Sequence, residues 1–301
     1  MNKITVLKGG WSSEREISLR SGENIANTFR SMGYEVYEID IVKNLRFITD
    51  ELYRTDPDYI YNALHGTGGE DGILQGVLEI FGKPYSHSGV LGSSIAFHKA
   101  ISKILVKNAG GLVIEDIAIN KNEIKNIDVD NPIMEYPFVV KPCANGSSVG
   151  VFIIHNKNDL LLLQNQDWIY GDEVMIEKYI NGREFTVYVN DGVAVGAIEI
   201  LPKNEFFDYS SKYDNEGAVH IADYKNIEEK NKKDIYELAE ISNKACVCKG
   251  TTRVDLIFDG EKVYFLEINT QPGMTPVSLV PDIAKFNGIK FEDIIRPKIC
   301  G

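Results

Sequence analysis

The sequence lacks any long hydrophobic run. No apolar stretch among its 301 residues approaches the roughly 18 residues that a membrane-spanning helix needs. The N-terminal strand pattern also reaches Gly9 and Gly10 too soon to form the apolar core of a secretory signal peptide. We therefore expect a cytoplasmic protein that makes no contact with membranes.

Cysteine and positive charge are scarce as well. The four cysteines, Cys143, Cys246, Cys248 and Cys300, show no Cys-x-x-Cys spacing, so neither a zinc site nor a disulfide framework is indicated. Lys and Arg number 32 against 44 Asp and Glu, which gives a formal net charge of −12. Because this field repels polyanions, nucleic acid is excluded as a bulk partner, although a nucleotide can still bind a local basic pocket.

What the chain does contain is the composition of a globular protein, with 44% apolar and 25% charged residues. In the first hundred residues, strands predicted at 4–7, 34–41 and 58–64 alternate with helices, one of them at 73–81. This alternation predicts an α/β fold with a doubly wound parallel sheet. Further along, the pattern predicts one helix over 94–108, a surface connector over 120–131, a hairpin from 138 to 154, strands at 185–189 and 193–200, a helix ending at Gly250, and a final hairpin.

The final hairpin carries the strongest chemical signal. Glu267 and Asn269 share one face of their strand, and a turn near Glu261 brings Asp255 approximately opposite Glu267. Two carboxylates and an amide suit a hard cation such as Mg²⁺. The alternative is a solvated hairpin face with accidental acids, but the flanking apolar runs indicate buried strands.

A glycine- and serine-rich loop follows Lys141, which ends an apolar strand. Gly146 and Gly150 allow the backbone to approach a phosphate, the intervening serines add hydroxyl donors, and the lysine supplies positive charge. The segment is not a Walker loop, because the Gly-Lys order and the following helix are both missing. A glycine-bearing hairpin with a surface lysine is the competing interpretation.

Four other segments are candidates for contact with a ligand. The loop after Gly9 opens a helix, where N–H groups favour anions, although Glu14 and Glu16 are also ordinary first-turn acids. The loop from His65 to Gly72 holds four glycines, although a lone His65 is more often structural. Residues 203–224 are too long for a simple connection and are rich in aromatics, which predicts a lid. The N–H groups of residues 270–279 suit a carboxylate.

Together these segments resemble the D-alanine:D-alanine ligases of the ATP-grasp superfamily. Four motifs occur in family order along essentially the whole chain: Gly-Gly-x-Ser-x-Glu-Arg-Glu, His-Gly-x-Gly-Gly-Glu-Asp-Gly, Gly-Ser-Ser-x-Gly, and Arg-x-Asp followed by Glu-x-Asn-x-x-Pro-Gly-Met. The resemblance implies a three-domain ATP-grasp architecture, in which two α+β lobes hold ATP between them. It places a substrate-binding domain at 1–92, a central domain at 93–179 and a C-terminal domain at 180–301.

The resemblance also implies roles for individual residues. For ATP it implies phosphate contacts from Lys99, Lys141, Ser147, Ser148, Val149 and Lys212, an adenine hinge at Glu177, Lys178, Tyr179 and Ile180, and a ribose contact from Glu184. For metal it implies two Mg²⁺ or Mn²⁺ ions on Asp255, Glu267 and Asn269. For D-alanine it implies Glu14, His65, Arg253, Gly273, Ser278 and Leu279, with Tyr213 of the lid bridging Ser147 and Glu14.

The activity implied is ATP-dependent joining of two D-alanines through a D-alanyl phosphate, which releases ADP and phosphate, for peptidoglycan precursor synthesis. The resemblance further implies a homodimer. Two alternatives stay open: a ligase that joins D-alanine to a hydroxy acid or to another amino acid, and a nucleotide-binding module that has lost catalysis. The metal ligands, Arg253 and Lys212 argue against the second alternative.

Overall fold

A computed structural model describes residues 2–202, 218–222, 224 and 227–297. The N-terminal part is built on a parallel sheet of strand order β2-β1-β3, and two further helices follow it. The alternation predicted from the sequence, and with it the α/β fold class, is confirmed. The elements are β1 (Lys3–Gly9), α1 (Arg15–Ser31), β2 (Glu35–Ile41), α2 (Leu45–Thr55), β3 (Tyr59–Asn62), α3 (Ile73–Phe81) and α4 (Val90–Phe97).

The single helix predicted over 94–108 is wrong, because α4 ends at Phe97 and a new helix, α5 (Lys99–Asn108), begins two residues later. Between them His98 has an extended backbone with φ −98° and ψ 97°. Its imidazole Nδ1 accepts a hydrogen bond from the Ile101 backbone N–H at 3.4 Å and so caps α5. The break sets Lys99 at the very start of a helix.

The central part is an antiparallel sheet of strand order β4-β7-β5-β6, which contains the predicted hairpin of β5 and β6. The predicted connector over 120–131 is more ordered than expected, since a 3₁₀ helix (Lys121–Asn126) begins there with a capping box between Asn120 and Glu123. The remaining elements are β4 (Asp116–Asn120), β5 (Phe138–Pro142), β6 (Phe152–Ile154), α6 (Lys157–Gln164) and β7 (Glu173–Lys178).

The C-terminal part is an antiparallel sheet of strand order β10-β9-β8-β11-β12. Its last two strands form the predicted final hairpin, with Asp255 directly opposite Glu267 and Arg253 opposite Asn269. The elements are β8 (Arg183–Asn190), β9 (Val193–Pro202), β10 (Ala218–Ile221), α7 (Glu229–Ala245), β11 (Thr251–Phe258), β12 (Val263–Asn269), α8 (Leu279–Phe286) and α9 (Phe291–Ile295).

Two buried clusters join the N-terminal part and the helices α4 and α5 to the C-terminal part. Phe29 and Tyr61 of the N-terminal part share an apolar core with Tyr188 of β8 and Ile283 of α8. On another side, Ala96 and other apolar side chains of α4 and α5 pack into a core with α7, β11 and β12. The domain bounds at 92/93 and 179/180 remain a prediction.

The structure also bears on two absences noted in the sequence. In residues 2–202 and the described residues from 218 to 297, no helix is long and apolar enough to cross a membrane.

Cys143, Cys246 and Cys248 are buried free thiols, and burial raises the pKa of Cys143 to about 11 and that of Cys246 to about 12. These thiols are therefore protonated at neutral pH, which agrees with a structural role.

Candidate active site

The paired acids of β11 and β12 lie on one face with two cationic side chains. Arg253 Nη2 lies 2.7 Å from an Asp255 oxygen and 3.8 Å from Glu267, and Lys99 Nζ lies 3.1 Å from Glu267. Thr186 on the neighbouring strand β8 donates a further hydrogen bond to Asp255 at 2.7 Å. The acids are therefore held by partners rather than exposed on a solvated hairpin face.

The chemistry of this donor set fits a hard divalent cation. Asp255, Glu267 and Asn269 present carboxylate and amide oxygens, and Asn269 Oδ1 accepts only the Gln271 backbone N–H, at 2.7 Å, among its described partners. The described residues hold no cluster of three or more His, Cys, Asp or Glu side chains that suits a metal. Such a site therefore depends on the Asn269 amide and on oxygens from a substrate phosphate.

The phosphate-loop candidate folds back toward the N-terminal part of the protein. Lys99 Nζ donates to the carbonyl of Asn145 at 2.6 Å, and the Lys99 backbone N–H donates to Cys143 at 2.8 Å. Ser147 and Ser148 both adopt left-handed backbone conformations, with φ of 55° and 56°. Such a conformation disfavours side chains with a Cβ and indicates a loop held in shape by its surroundings.

Ser147 is held by Glu14, to whose carboxylate its hydroxyl donates a hydrogen bond. Both side chains are buried, at 8% and 5% exposure. Glycine is needed around this carboxylate, because a Cβ on Gly146 or on Gly66 would lie 2.6 Å from Glu14 Oε2. The two N-terminal glycine loops are tied together as well, since Ser12 Oγ donates to the His65 carbonyl at 2.6 Å.

Lys141 lies in a buried charge network behind the loop. Its ammonium lies 2.6 Å from one oxygen of Glu177, and Lys103 lies 2.5 Å from the other and 2.9 Å from Asp116. Burial alone would raise the pKa of Glu177, but the charges of Lys141 and Lys103 outweigh it and lower that pKa. Glu177 also raises the pKa of Lys141 against the effect of burial. Lys141 therefore stays protonated.

The other residues assigned to the nucleotide follow this network along the chain. Lys178 ends β7, and its backbone N–H donates to the Glu115 carbonyl at 2.9 Å. Tyr179 comes next and lies 6.4 Å, ring to ring, from His155. Glu184 lies in β8, opposite Ile200 and Ile257. The Glu177 side chain is engaged by two lysines, so a contact of this residue with adenine would involve its backbone.

Lys99, Ser147 and Glu267 line one pocket of this cleft. A second pocket adjoins this first one, and the two share Glu14, Arg253 and Asn269. It brings together the substrate residues expected from the sequence, namely His65, Gly273, Ser278 and Leu279. His65 is buried and lies 3.0 Å from the Gln271 carbonyl and 3.2 Å from the Ser21 hydroxyl. Ser278 Oγ accepts from the Thr275 backbone N–H at 3.1 Å, which shapes the turn before α8.

Sequence reasoning missed several side chains of this cleft. Glu70 lines the first pocket and lies 3.4 Å from His65, and burial raises its pKa, with the Glu14 carboxylate adding to the effect. Lys103 and Thr186 support Glu177 and Asp255, and His220 lines the second pocket. Glu70 is part of the motif that begins at His65, so the sequence did carry a signal for it. Lys103, Thr186 and His220 belong to none of the four motifs. Lys212 and Tyr213 lie outside the described residues.

The three sheets and the charged cleft between them define an ATP-grasp protein. Comparison with known proteins identifies the family within this class. The model of the protein family described as "D-ala D-ala ligase C-terminus" matches residues 105–299. Two curated D-alanine–D-alanine ligases, from Parvibaculum lavamentivorans and Rhodospirillum rubrum, are each 40% identical to this chain. Each match covers 97% of this chain, and the matches cover 94% of the first relative and 95% of the second. The chain therefore belongs to the D-alanine–D-alanine ligase family.

Solved structures agree with this assignment. The Bacillus anthracis D-alanine–D-alanine ligase complexed with ATP is similar at a TM-score of 0.82 and 30% identity, over 98% of this chain and 95% of that one. The VanG D-Ala:D-Ser ligase from Enterococcus faecalis is similar at a TM-score of 0.81 and 27% identity, over 98% and 97%. The names of these two ligases differ in the second amino acid, which is D-alanine in one and D-serine in the other.

Proposed function

We propose that this protein joins two D-alanines to D-alanyl-D-alanine at the expense of ATP, through a D-alanyl phosphate. One observation carries the proposal: the shared boundary of the two pockets, where Glu14, Arg253 and Asn269 meet. A group transferred from a nucleotide in the first pocket reaches an amino acid in the second without leaving the cleft. Since ATP is a cytoplasmic metabolite, we place the reaction in the cytoplasm.

The chemical problem is that a carboxylate resists attack by an amine at neutral pH. Phosphorylation of the first D-alanine solves it by supplying a good leaving group. Lys99 and Lys141 neutralise the phosphates, and Ser147 to Val149 enclose them. Bound Mg²⁺, held by Asp255, Glu267 and Asn269, would supply charge neutralisation during phosphoryl transfer.

Substrate orientation falls to the residues of the second pocket and its boundary. The buried Glu14 carboxylate pairs with the ammonium of the first D-alanine, and Ser147 keeps that carboxylate in place. Arg253 and the backbone at Gly273 stabilise the oxyanion that develops during acyl transfer. Ser278 and Leu279, at the start of α8, receive the carboxylate of the second D-alanine.

Product identity and phosphate release test this function together. The purified chain with ATP and Mg²⁺ should release phosphate only when D-alanine is present, and mass spectrometry should identify D-alanyl-D-alanine. Release that is equal with and without D-alanine would instead support a nucleotide-binding module with residual hydrolysis.

The second nucleophile is the finer part of the proposal. The likeness to a D-Ala:D-Ser ligase makes D-serine a specific competitor, and D-lactate tests depsipeptide formation. With all three nucleophiles at equal concentration, we expect D-alanyl-D-alanine to dominate at about pH 7.5 to 8, where the amine is partly neutral. Tyr213→Phe should weaken this preference if its hydroxyl bridges Ser147 and Glu14. A majority of D-serine or D-lactate product would overturn the assignment.

We also propose a homodimer that uses an apolar face on α3 and α4. Ile73 and Ile80 lie seven positions apart, on the same face of α3, and are 58% and 90% exposed, while Leu91 of α4 is 61% exposed. Sedimentation should give a dimer that Ile80→Asp converts to a monomer. An unchanged dimer would move the interface elsewhere, and a monomeric wild type would refute dimerisation.

A further inference from the structure

His220 and Asp282 form a pair beside the second amino-acid subsite. The imidazole Nδ1 of His220 lies 2.7 Å from a carboxylate oxygen of Asp282, and the two side chains are 21% and 26% exposed. His220 lines the same pocket as Ser278 and Leu279. None of the motifs in the sequence assigns either residue of the pair a role.

The pair connects the edge of the C-terminal sheet to the first turn of α8. His220 lies on the edge strand β10, opposite Ile200 of β9. Asp282 lies one helical turn after Ser278, to whose carbonyl its backbone N–H donates at 3.1 Å. The helix is seated closely on the sheet, since a Cβ on Gly196 would lie 2.9 Å from Ile283. The imidazole is therefore held at the end of α8 where Ser278 and Leu279 lie.

Electrostatics explains why a histidine is useful here. Asp282 places a negative charge in the helix turn that begins at the proposed carboxylate-binding residues, and an anion bound there would be repelled. An imidazole that donates a hydrogen bond from Nδ1 to Asp282 screens this charge. Among the residues that the structure describes, no other side chain hydrogen-bonds to the His220 ring, so Nε2 is left for a ligand.

We propose that His220, oriented by Asp282, donates a hydrogen bond from Nε2 to the carboxylate of the second D-alanine and so selects a nucleophile with a free carboxylate. The proposal rests on the ligase function above and adds a residue to its second subsite. With Nδ1–H on Asp282 and Nε2–H on the substrate, the protonated ring bridges two carboxylates. Ser278 and Leu279 then supply neutral donors, and His220 supplies the charged one.

Steady-state kinetics on variants measures this role. His220→Phe should raise the KM for the second D-alanine about 10- to 100-fold, the range expected for loss of a hydrogen bond to a charged group. The KM values for ATP and for the first D-alanine should stay unchanged, and kcat should change little. His220→Gln, which keeps a donor, should recover part of the affinity. Asp282→Asn removes the carboxylate that orients the ring and should raise the same KM. Asp293→Asn, in the first turn of α9, is its matched control and should leave this KM unchanged.

A nucleophile that lacks a carboxylate tests whether His220 recognises the substrate carboxylate or only packs against its neighbours. D-Alaninamide should react poorly with the wild type, and His220→Phe should lose at least tenfold less activity toward it than toward D-alanine. Equal losses with both nucleophiles, or unchanged kinetics with D-alanine, would overturn the proposal. Thermal unfolding of each variant shows whether the fold persists, and His220→Gln carries the test if the phenylalanine variant is unstable. A wild type that makes no dipeptide would refute the ligase function itself rather than this role.

Discussion

Ser147 donates a hydrogen bond to Glu14, a residue 133 positions earlier in the chain. The bond links the phosphate-loop candidate of the central part to the first glycine loop of the N-terminal part. Both side chains are buried, so the contact is sheltered from water. The residue proposed to bind the first D-alanine therefore touches the loop proposed to hold the phosphates.

A double-mutant cycle on this pair tests whether the two residues act as one unit. Glu14→Gln and Ser147→Ala should each raise the KM for the first D-alanine about tenfold or more, as expected for a lost hydrogen bond to a charged group. Because they share one interaction, the double variant should lose less than the product of the single losses. Ser148→Ala is the matched control and should change this KM much less. Fully multiplicative losses would show that the two side chains work independently.

Removing a metal ligand should stop turnover without unfolding the protein. Asp255→Asn and Glu267→Gln keep the size of each side chain, and the hairpin keeps its ladder, so we expect at least a hundredfold loss of kcat, in keeping with the size of lost electrostatic stabilisation. Circular dichroism beside phosphate-release kinetics at varied Mg²⁺ measures both properties. Glu261→Gln, exposed at the turn of the same hairpin, should behave like the wild type. Near-normal turnover of either variant at limiting Mg²⁺ would contradict the metal assignment.

The buried charge network predicts a large cost for a single lysine. Lys103→Met leaves Glu177 with one cation instead of two and leaves Asp116 without its 2.9 Å contact, so unfolding should become easier by about 3 kcal/mol. Urea denaturation measures this change. Lys121→Met removes an exposed ion pair with Asp172 and should have little effect. Similar losses in both variants would argue against a special role for the buried network.

The same network predicts a dependence of stability on acid pH. The pKa of Glu177 in the folded protein lies below its ordinary value of 4.5. Its contribution to stability is therefore present above pH 4.5 and is lost as the pH falls through the lower folded-state pKa. In denaturation series below pH 4.5, Glu177→Gln should show a shallower loss of stability than the wild type. Parallel curves would mean that other carboxylates control the acid transition.

A methyl group in the phosphate loop should disturb substrate binding. Gly146→Ala would place a Cβ 2.6 Å from Glu14 Oε2, so the carboxylate or the loop must move. We expect the KM for the first D-alanine to rise at least tenfold with little loss of thermal stability. Ala144→Ser adds an atom at an exposed position of the same loop and is the control. A Gly146→Ala enzyme with unchanged KM would mean that the loop yields without cost.

The elements that the sequence predicted best are those with a local signal. The helix Ile73–Phe81 has an apolar face and a glycine stop, and the pairing of Asp255 with Glu267 follows from strand alternation and one turn. His98 was missed, because apolar residues run through the break and only the backbone and capping geometry reveal it. Lys103 and His220 were missed for a different reason: their partners, Glu177 and Asp282, lie 74 and 62 positions away.

The consecutive left-handed serines have a consequence for protein engineering. Holding a residue with a Cβ in this region costs about 1 kcal/mol or more, and glycine does not incur that cost. Ser148→Gly should therefore be enriched in a selection for heat resistance. Ser147→Gly would relax the backbone equally but would forfeit the hydroxyl that holds Glu14. A selection for thermal resistance would then favour glycine at position 147, whereas a selection for cell-wall synthesis would favour serine. The residue found at this position would therefore show which selection had acted.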